Sequence, residues 1–134
     1  MTLMFQREVA DRLVAKPGAK TYGRLSVMTQ WLTHPQKLFD LPGGAFTPPP
    51  KVVSSVVRLI PSDAAPGLEA FTAMERVVAA AFGQRRKMLR QSLKALGCAP
   101  EAVLDPAGID GARRAETLEI AEFVQLAEAW RRGG

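Results

Sequence analysis

Cysteine is almost missing from this chain: Cys98 stands alone among 134 residues, which excludes an internal disulfide and is consistent with a reducing, cytoplasmic setting. Histidine is as scarce. A single His34 and a single Cys98, without carboxylates at ligand spacing, cannot build a zinc site, so no metal is expected. Long apolar runs are lacking too: none approaches the roughly 20 residues that cross a bilayer, so no membrane association is expected. The opening Met1-Thr2-Leu3-Met4-Phe5-Gln6-Arg7 has no basic leader before a long apolar core, and it is not expected to act as a secretion signal.

What the chain does hold is an apolar share of 47%, ordinary for a globular protein, and length enough for one domain or two small ones. Its formal charge of +5 is unevenly spread. Residues 1–67 carry eight basic and four acidic side chains, residues 68–97 six and two, and residues 98–134 four and seven. The positive field is therefore concentrated before Cys98. Such a patch suits a polyanion; it also occurs on ordinary solvated helices.

Hydropathy patterning gives strands first and helices after, an α+β arrangement. Residues 1–6 read as a strand, and Gln6 to Ala15 as a helix stopped by Pro17-Gly18. Leu25 to Leu32 alternates as a second strand, Pro35 to Pro50 is a Pro/Gly-punctuated connection, and Val52 to Ile60 is a third, strongly β-branched strand. Pro61 to Gly67 is a turn-rich linker, which divides the chain into domains 1–61 and 62–134. Beyond it the period becomes 3.6, with helices expected over Leu68–Phe82, Gln84–Leu96, Pro100–Leu104 and Ile120–Arg131. Trp31 and Trp130 are expected to pack, and Glu116 to cap the last helix or pair with an arginine.

Two stretches carry chemistry. In Phe46-Thr47-Pro48-Pro49-Pro50-Lys51-Val52 the prolines have no N–H to donate and hold an extended rod that can join neither a helix nor a sheet interior. Phe46 at its head either packs inward or is presented on a stiff ledge. The second stretch is Arg85, Arg86, Lys87, Arg90 and Lys94, five cations in ten residues without an acid. On one continuous helix, Arg86, Lys87, Arg90 and Lys94 fall within an arc of about 100°, beside a face of Leu89, Leu93 and Leu96. Like charges at i, i+4 repel by a few tenths of a kcal/mol per pair, and a chain that accepts that cost points to an anionic partner. A solvated face remains the alternative. Arg24 and Lys51 are either further phosphate contacts or ordinary surface cations.

The first stretch resembles the F-x-P-x-P-x-V motif of the ribosomal RNA adenine dimethyltransferases. Phe82-Gly83-Gln84-Arg85-Arg86-Lys87-Met88-Leu89-Arg90-Gln91-Ser92-Leu93 and Arg114-Ala115-Glu116-Thr117-Leu118 resemble the small-subunit branch. Gln6 to Ala10 and Tyr22 to Val27 fit in the same order. The resemblance covers nearly all of this chain but only the back half of the family's protein. It implies the last three strands of a Rossmann-like methyltransferase sheet, the final one antiparallel between the other two, followed by a small all-helical C-terminal domain. It implies that Phe46 stacks on the target adenine, with Pro48 and Pro49 holding the substrate loop, and that Arg85, Arg86, Lys87, Arg90 and Lys94 bind RNA. The family's partners are small-subunit rRNA and the immature small ribosomal subunit, and its reaction moves methyl groups from S-adenosylmethionine to N6 of two adjacent adenosines.

The donor site is not expected here. A Rossmann-like cofactor site needs a first strand ending in a glycine-rich turn that opens a helix. Gly18 to Gly23 is not that turn, because Pro17 precedes it and a strand is expected to follow. Nor is the family's catalytic tetrapeptide present: Asp40-Leu41-Pro42-Gly43 has glycine where an aromatic is required, and reads as a turn. S-adenosylmethionine is therefore expected for the full-length enzyme, with none bound to this chain and no catalytic residue in it. Without a front half, the strand at 1–6 exposes an apolar edge through which copies are expected to self-associate. A non-catalytic RNA-binding or ribosome-assembly module is the rival reading; the macrolide-resistance relatives share F-x-P-x-P but fit the basic segment less well. In a full-length enzyme, Phe46→Ala is expected to leave RNA binding nearly intact while abolishing adenine methylation, as scored by transfer of a labelled methyl group to RNA.

Overall fold

The structure is a computed structural model describing residues 2–41, 54–61 and 66–133. Strand β1 (Thr2–Gln6) runs straight into helix α1 (Arg7–Val14), and α2 (Arg24–Leu32) passes into β2 (Thr33–Leu41). After β3 (Ser54–Pro61) come α3 (Leu68–Gly83), α4 (Leu89–Ser92) with a 3₁₀ turn at Leu93–Leu96, α5 (Glu101–Ala107), a 3₁₀ turn at Ala115–Thr117, and α6 (Ile120–Gly133). The α+β order is as expected. The sheet order is β1-β3-β2, with both pairings antiparallel, so the last strand in sequence lies between the other two.

Three local expectations are corrected. Leu25–Leu32 is helical, not a strand. Its buried residues are the neighbours Ser26 and Val27, which a strand would send to opposite faces but a helix can bury together. The Ser26 hydroxyl accepts from the Gly23 N–H at 3.1 Å, closing the first turn, and donates to the Arg12 carbonyl of α1. Gln30 donates to the carbonyls of Leu13 (3.1 Å) and Ala15 (2.6 Å), capping the chain as it leaves α1.

Second, Thr33–Leu41 is strand β2, although the chain from Pro35 onward is expected to be a connection. Pro35 is tolerated because, among the described residues, β2 pairs on one side only, with β3. A register shift between Lys37 and Phe39 places Leu38 at an irregularity. Asp40 and Leu41, expected in a turn, end the strand, and Pro42 and Gly43 lie outside the described residues. The linker expected at Pro61–Gly67 likewise has residues 62–65 outside them.

Third, Gln84–Leu96 is not one helix. Gln84 to Lys87 is a turn, Met88 is extended (φ −69°, ψ 156°), and helix restarts only at Leu89. The cause is a competing partner: Leu89 N–H donates to Arg113 O at 2.8 Å and Arg90 N–H to Gly111 O at 3.0 Å. The carbonyls one turn back therefore do not receive them, and α4 starts fresh, with its first donors satisfied by a distant loop. A Cβ at Gly111 would sit 3.0 Å from Leu104 Cδ1 and 3.2 Å from Arg90 Cβ, so glycine is what lets that loop approach.

Two apolar clusters result. Ala10, Leu13 and Val57 seal α1 onto one face of the sheet, with Phe5 and Leu59 at the margin. The larger cluster joins Met74, Val77 and Val78 of α3 to Leu89, Leu93, Leu104, Phe123 and Leu126, and takes in Tyr22 and Val27 from the N-terminal region. Phe82 stacks on Phe123 (5.6 Å between centroids) and meets Tyr22 edge-on at 6.1 Å. The Tyr22 hydroxyl donates to Leu118 O at 2.7 Å, and burial, with Glu119 and Glu122 nearby, pushes its pKa up to about 12.

Candidate nucleic-acid interface

The five cations of the basic segment separate into one that is engaged and four that are not. Arg85 is half-buried: its guanidinium donates to Lys20 O at 2.9 Å and Ala19 O at 3.4 Å, lies 3.5 Å from a Glu116 carboxylate oxygen, and sits 5.7 Å over the Phe82 ring. It fastens the 19–20 turn to the helical cluster. Glu116 thereby takes the arginine-pairing role expected of it, while capping of α6 falls to Glu122, whose carboxylate accepts the Glu119 N–H at 3.0 Å. Glu122 also takes both arms of Arg113. That hydrogen bond holds its pKa below the ordinary value, against the opposing effect of burial.

Arg86, Lys87, Arg90 and Lys94 are exposed, and among the described residues no carboxylate pairs with any of them. Arg90 makes only a 3.5 Å contact to the sulfur of Met88. Because the helix is interrupted, these cations do not form one helical row: Arg86 and Lys87 ride on the turn, Arg90 on α4 and Lys94 on the 3₁₀ turn. Lys87 and Lys94 nonetheless line one common groove, brought together by the bend.

Sequence reasoning missed a second gathering of cations. Arg12 from α1, Arg24 from the start of α2 and Arg85 line an open groove of about 680 Å³, with Met28, Leu32 and Phe71 among its apolar walls. Arg12 pairs with Glu8 at 3.3 Å on the exposed face of α1, and Glu75 is the one acid lining the groove. No motif marks Arg12; its place depends on the Ser26 hydroxyl binding the Arg12 carbonyl and drawing α1 against α2. Trp31 stacks on Phe71 at 6.3 Å and Trp130 lies 5.8 Å under Arg76, so both tryptophans pack as expected.

Phe46, Pro48, Pro49 and Lys51 lie outside the described residues. The strands flanking them are held side by side, Leu41 opposite Ser54. Among the described residues no group of His, Cys, Asp or Glu could hold a metal ion, and no helix is long and apolar enough to cross a membrane. Nor does a strand among the described residues run through a glycine-rich turn into a helix, the feature that a Rossmann-like S-adenosylmethionine site uses. The one direct strand-to-helix passage, β1 into α1 at Gln6-Arg7, has no glycine, and Gly18 to Gly23 links two helices. The segment expected after Gly23 is thus a helix rather than a strand, yet α1, not a strand, precedes the turn.

Residues 1–131 match the family described as "Ribosomal RNA adenine dimethylase", and the chain belongs to that family. It is similar to Ribosomal RNA small subunit methyltransferase A of Chelativorans sp. (strain BNC1), 60% identical over 127 residues, covering 95% of this chain and 45% of that protein. The protein of the same name from Phenylobacterium zucineum (strain HLK1) is 55% identical over 130 residues, covering 97% and 45%. The chain therefore spans just under half the length of these curated relatives. Among solved structures, a dimethyladenosine transferase from Plasmodium falciparum superposes with a TM-score of 0.85 at 23% identity, over 99% of this chain and 57% of that one. The 23S rRNA methyltransferase ErmE superposes at 0.67 with 25% identity, over 97% and 54%.

Arg85→Ala should lower the melting temperature by several degrees, because it orphans Glu116 and two carbonyls, whereas Arg86→Ala should not move it measurably. Thermal unfolding followed by circular dichroism decides this; equal effects would remove the distinction between the engaged and the free arginines.

Proposed function

We propose that this chain is the C-terminal part of an S-adenosylmethionine-dependent rRNA adenine N6-dimethyltransferase acting on two adjacent adenosines of small-subunit rRNA. On its own it binds RNA and does not transfer methyl groups. The observation that carries the reading is the set of four exposed, carboxylate-free cations, Arg86, Lys87, Arg90 and Lys94, in a member of this family. Arginine forks take phosphate oxygens in pairs and lysine adds a mobile point charge, so such a surface positions RNA without reading its bases. Arg85 supports the surface from beneath.

Base selection falls to Phe46, whose ring faces the unstacked adenine while Pro48 and Pro49 stiffen its backbone, a stacking worth roughly 1–3 kcal/mol per base. Residues 1–61 belong to the methyltransferase domain and 62–134 form the RNA-binding domain. S-adenosylmethionine supplies the methyl group in the full-length enzyme; the residues of this chain bind and orient RNA. The setting is the cytoplasm, and the partner is the immature small subunit. The outer edge of β1, with Leu3 40% and Met4 58% exposed, is where two copies of the isolated chain pair.

Replacing Arg86, Arg90 and Lys94 together by Ala should weaken RNA binding and lower its salt slope by about one unit for each phosphate no longer engaged. With labelled S-adenosylmethionine and immature subunits, this chain should bind without methylating; methyl transfer by it alone would overturn the reading. Sedimentation should show a species that grows with concentration and shrinks when Met4 is changed to Lys; a clean monomer at high concentration would remove the pairing proposal.

A further inference from the structure

Between the last turns of α3 and the α4–3₁₀ segment lies an open groove of about 700 Å³. Its floor is small, with Ala79, Ala80 and Gly83 on one side and Ala95 on the other. Lys87 and Lys94 line it, Gln84 and Gln91 add amides, and no carboxylate is among the lining residues. Its size is that of a ligand site rather than a packing defect.

Ser92 lines the same groove. It is 2% exposed, and among the described residues its hydroxyl is the one buried side-chain polar atom without a hydrogen-bond partner. The carbonyl four residues back, Met88 O, receives the Ser92 N–H at 3.0 Å but not the hydroxyl. A buried, unpaired hydroxyl is costly, and in native proteins it marks a place where a ligand or water belongs.

The groups together specify the occupant. Ammonium groups take anionic oxygens, while the amides and the hydroxyl both donate and accept, and the alanine floor admits a backbone at close range. A phosphate ion could accept from the lysines, the amides and the Ser92 hydroxyl, but it would leave the amide and hydroxyl acceptors unused. We propose that this groove seats the sugar–phosphate strand of RNA, with Lys87 and Lys94 on phosphates and Gln84, Gln91 and Ser92 on a ribose 2′-hydroxyl. The inference rests on the RNA-binding reading above and adds to it a means of telling RNA from DNA, because the 2′-hydroxyl is both donor and acceptor and DNA lacks it.

The test is titration of the whole chain with a fluorescent single-stranded RNA and with DNA of the same sequence, over a range of salt. RNA should bind roughly tenfold more tightly than DNA. Gln91→Ala and Ser92→Ala should each shrink that ratio about threefold with the salt slope unchanged, and Lys87→Ala should lower the slope by about one unit with the ratio unchanged. Ser92→Ala should not lower the melting temperature, since it removes an unpaired hydroxyl; a purely structural serine would. Gln91, exposed on α4, gives the same readout without disturbing the core. Equal affinity for RNA and DNA, or a ratio that neither variant moves, would overturn the groove assignment while leaving RNA binding standing. Failure to bind either nucleic acid would overturn both.

Discussion

Two hydrogen bonds from the start of α4 to the 111–113 loop set the character of the basic surface. By taking the N–H groups of Leu89 and Arg90, the carbonyls of Arg113 and Gly111 break the helix that the sequence predicts over Gln84 to Leu96. The chain turns at Gln84 to Lys87 and restarts, so its cations are spread around a bend rather than stacked along a rod. The same loop is anchored at its far end, where the Arg113 guanidinium grips Glu122 at the beginning of α6. Display of positive charge and closure of the helical core are thus one arrangement.

That arrangement also explains why neighbouring arginines have different work. Arg85 reaches back to the 19–20 carbonyls and across to Glu116, tying segments that lie far apart in the chain, and its guanidinium covers the face of Phe82. Arg86, one residue on, points its charge to solvent and meets no acid among the described residues. A surface of unpaired cations beside a paired one fits a protein that meets a polyanion: the paired residue keeps the scaffold rigid, and the unpaired ones stay available.

Much of the fold was legible. The 3.6 period of Leu68 to Gly83 and the β-branched run ending at Ile60 announce α3 and β3, because each buries one clear face. Leu25 to Leu32 misled, since Leu25, Val27 and Thr29 alternate as a strand would. What decides for a helix is the Ser26 hydroxyl bonding to α1 and the joint burial of Ser26 and Val27, neither visible in the local pattern. Pro35 misled in the other direction: it reads as a breaker, but an edge strand has no need of the N–H it lacks. Arg24 and Arg85 were candidates one by one, but no local pattern joins them to Arg12, because the three come from separate elements.

By itself the sequence determined the charge asymmetry, the strands-then-helices order and the motifs that mark the family, since these depend on residue type and spacing along the chain. Tertiary structure alone decided which arginine is spent on the scaffold, where the helix breaks and that Ser92 is buried without a partner. Those outcomes depend on groups such as Glu116, Gly111 and the 19–20 carbonyls, which meet the basic segment only after the chain has folded.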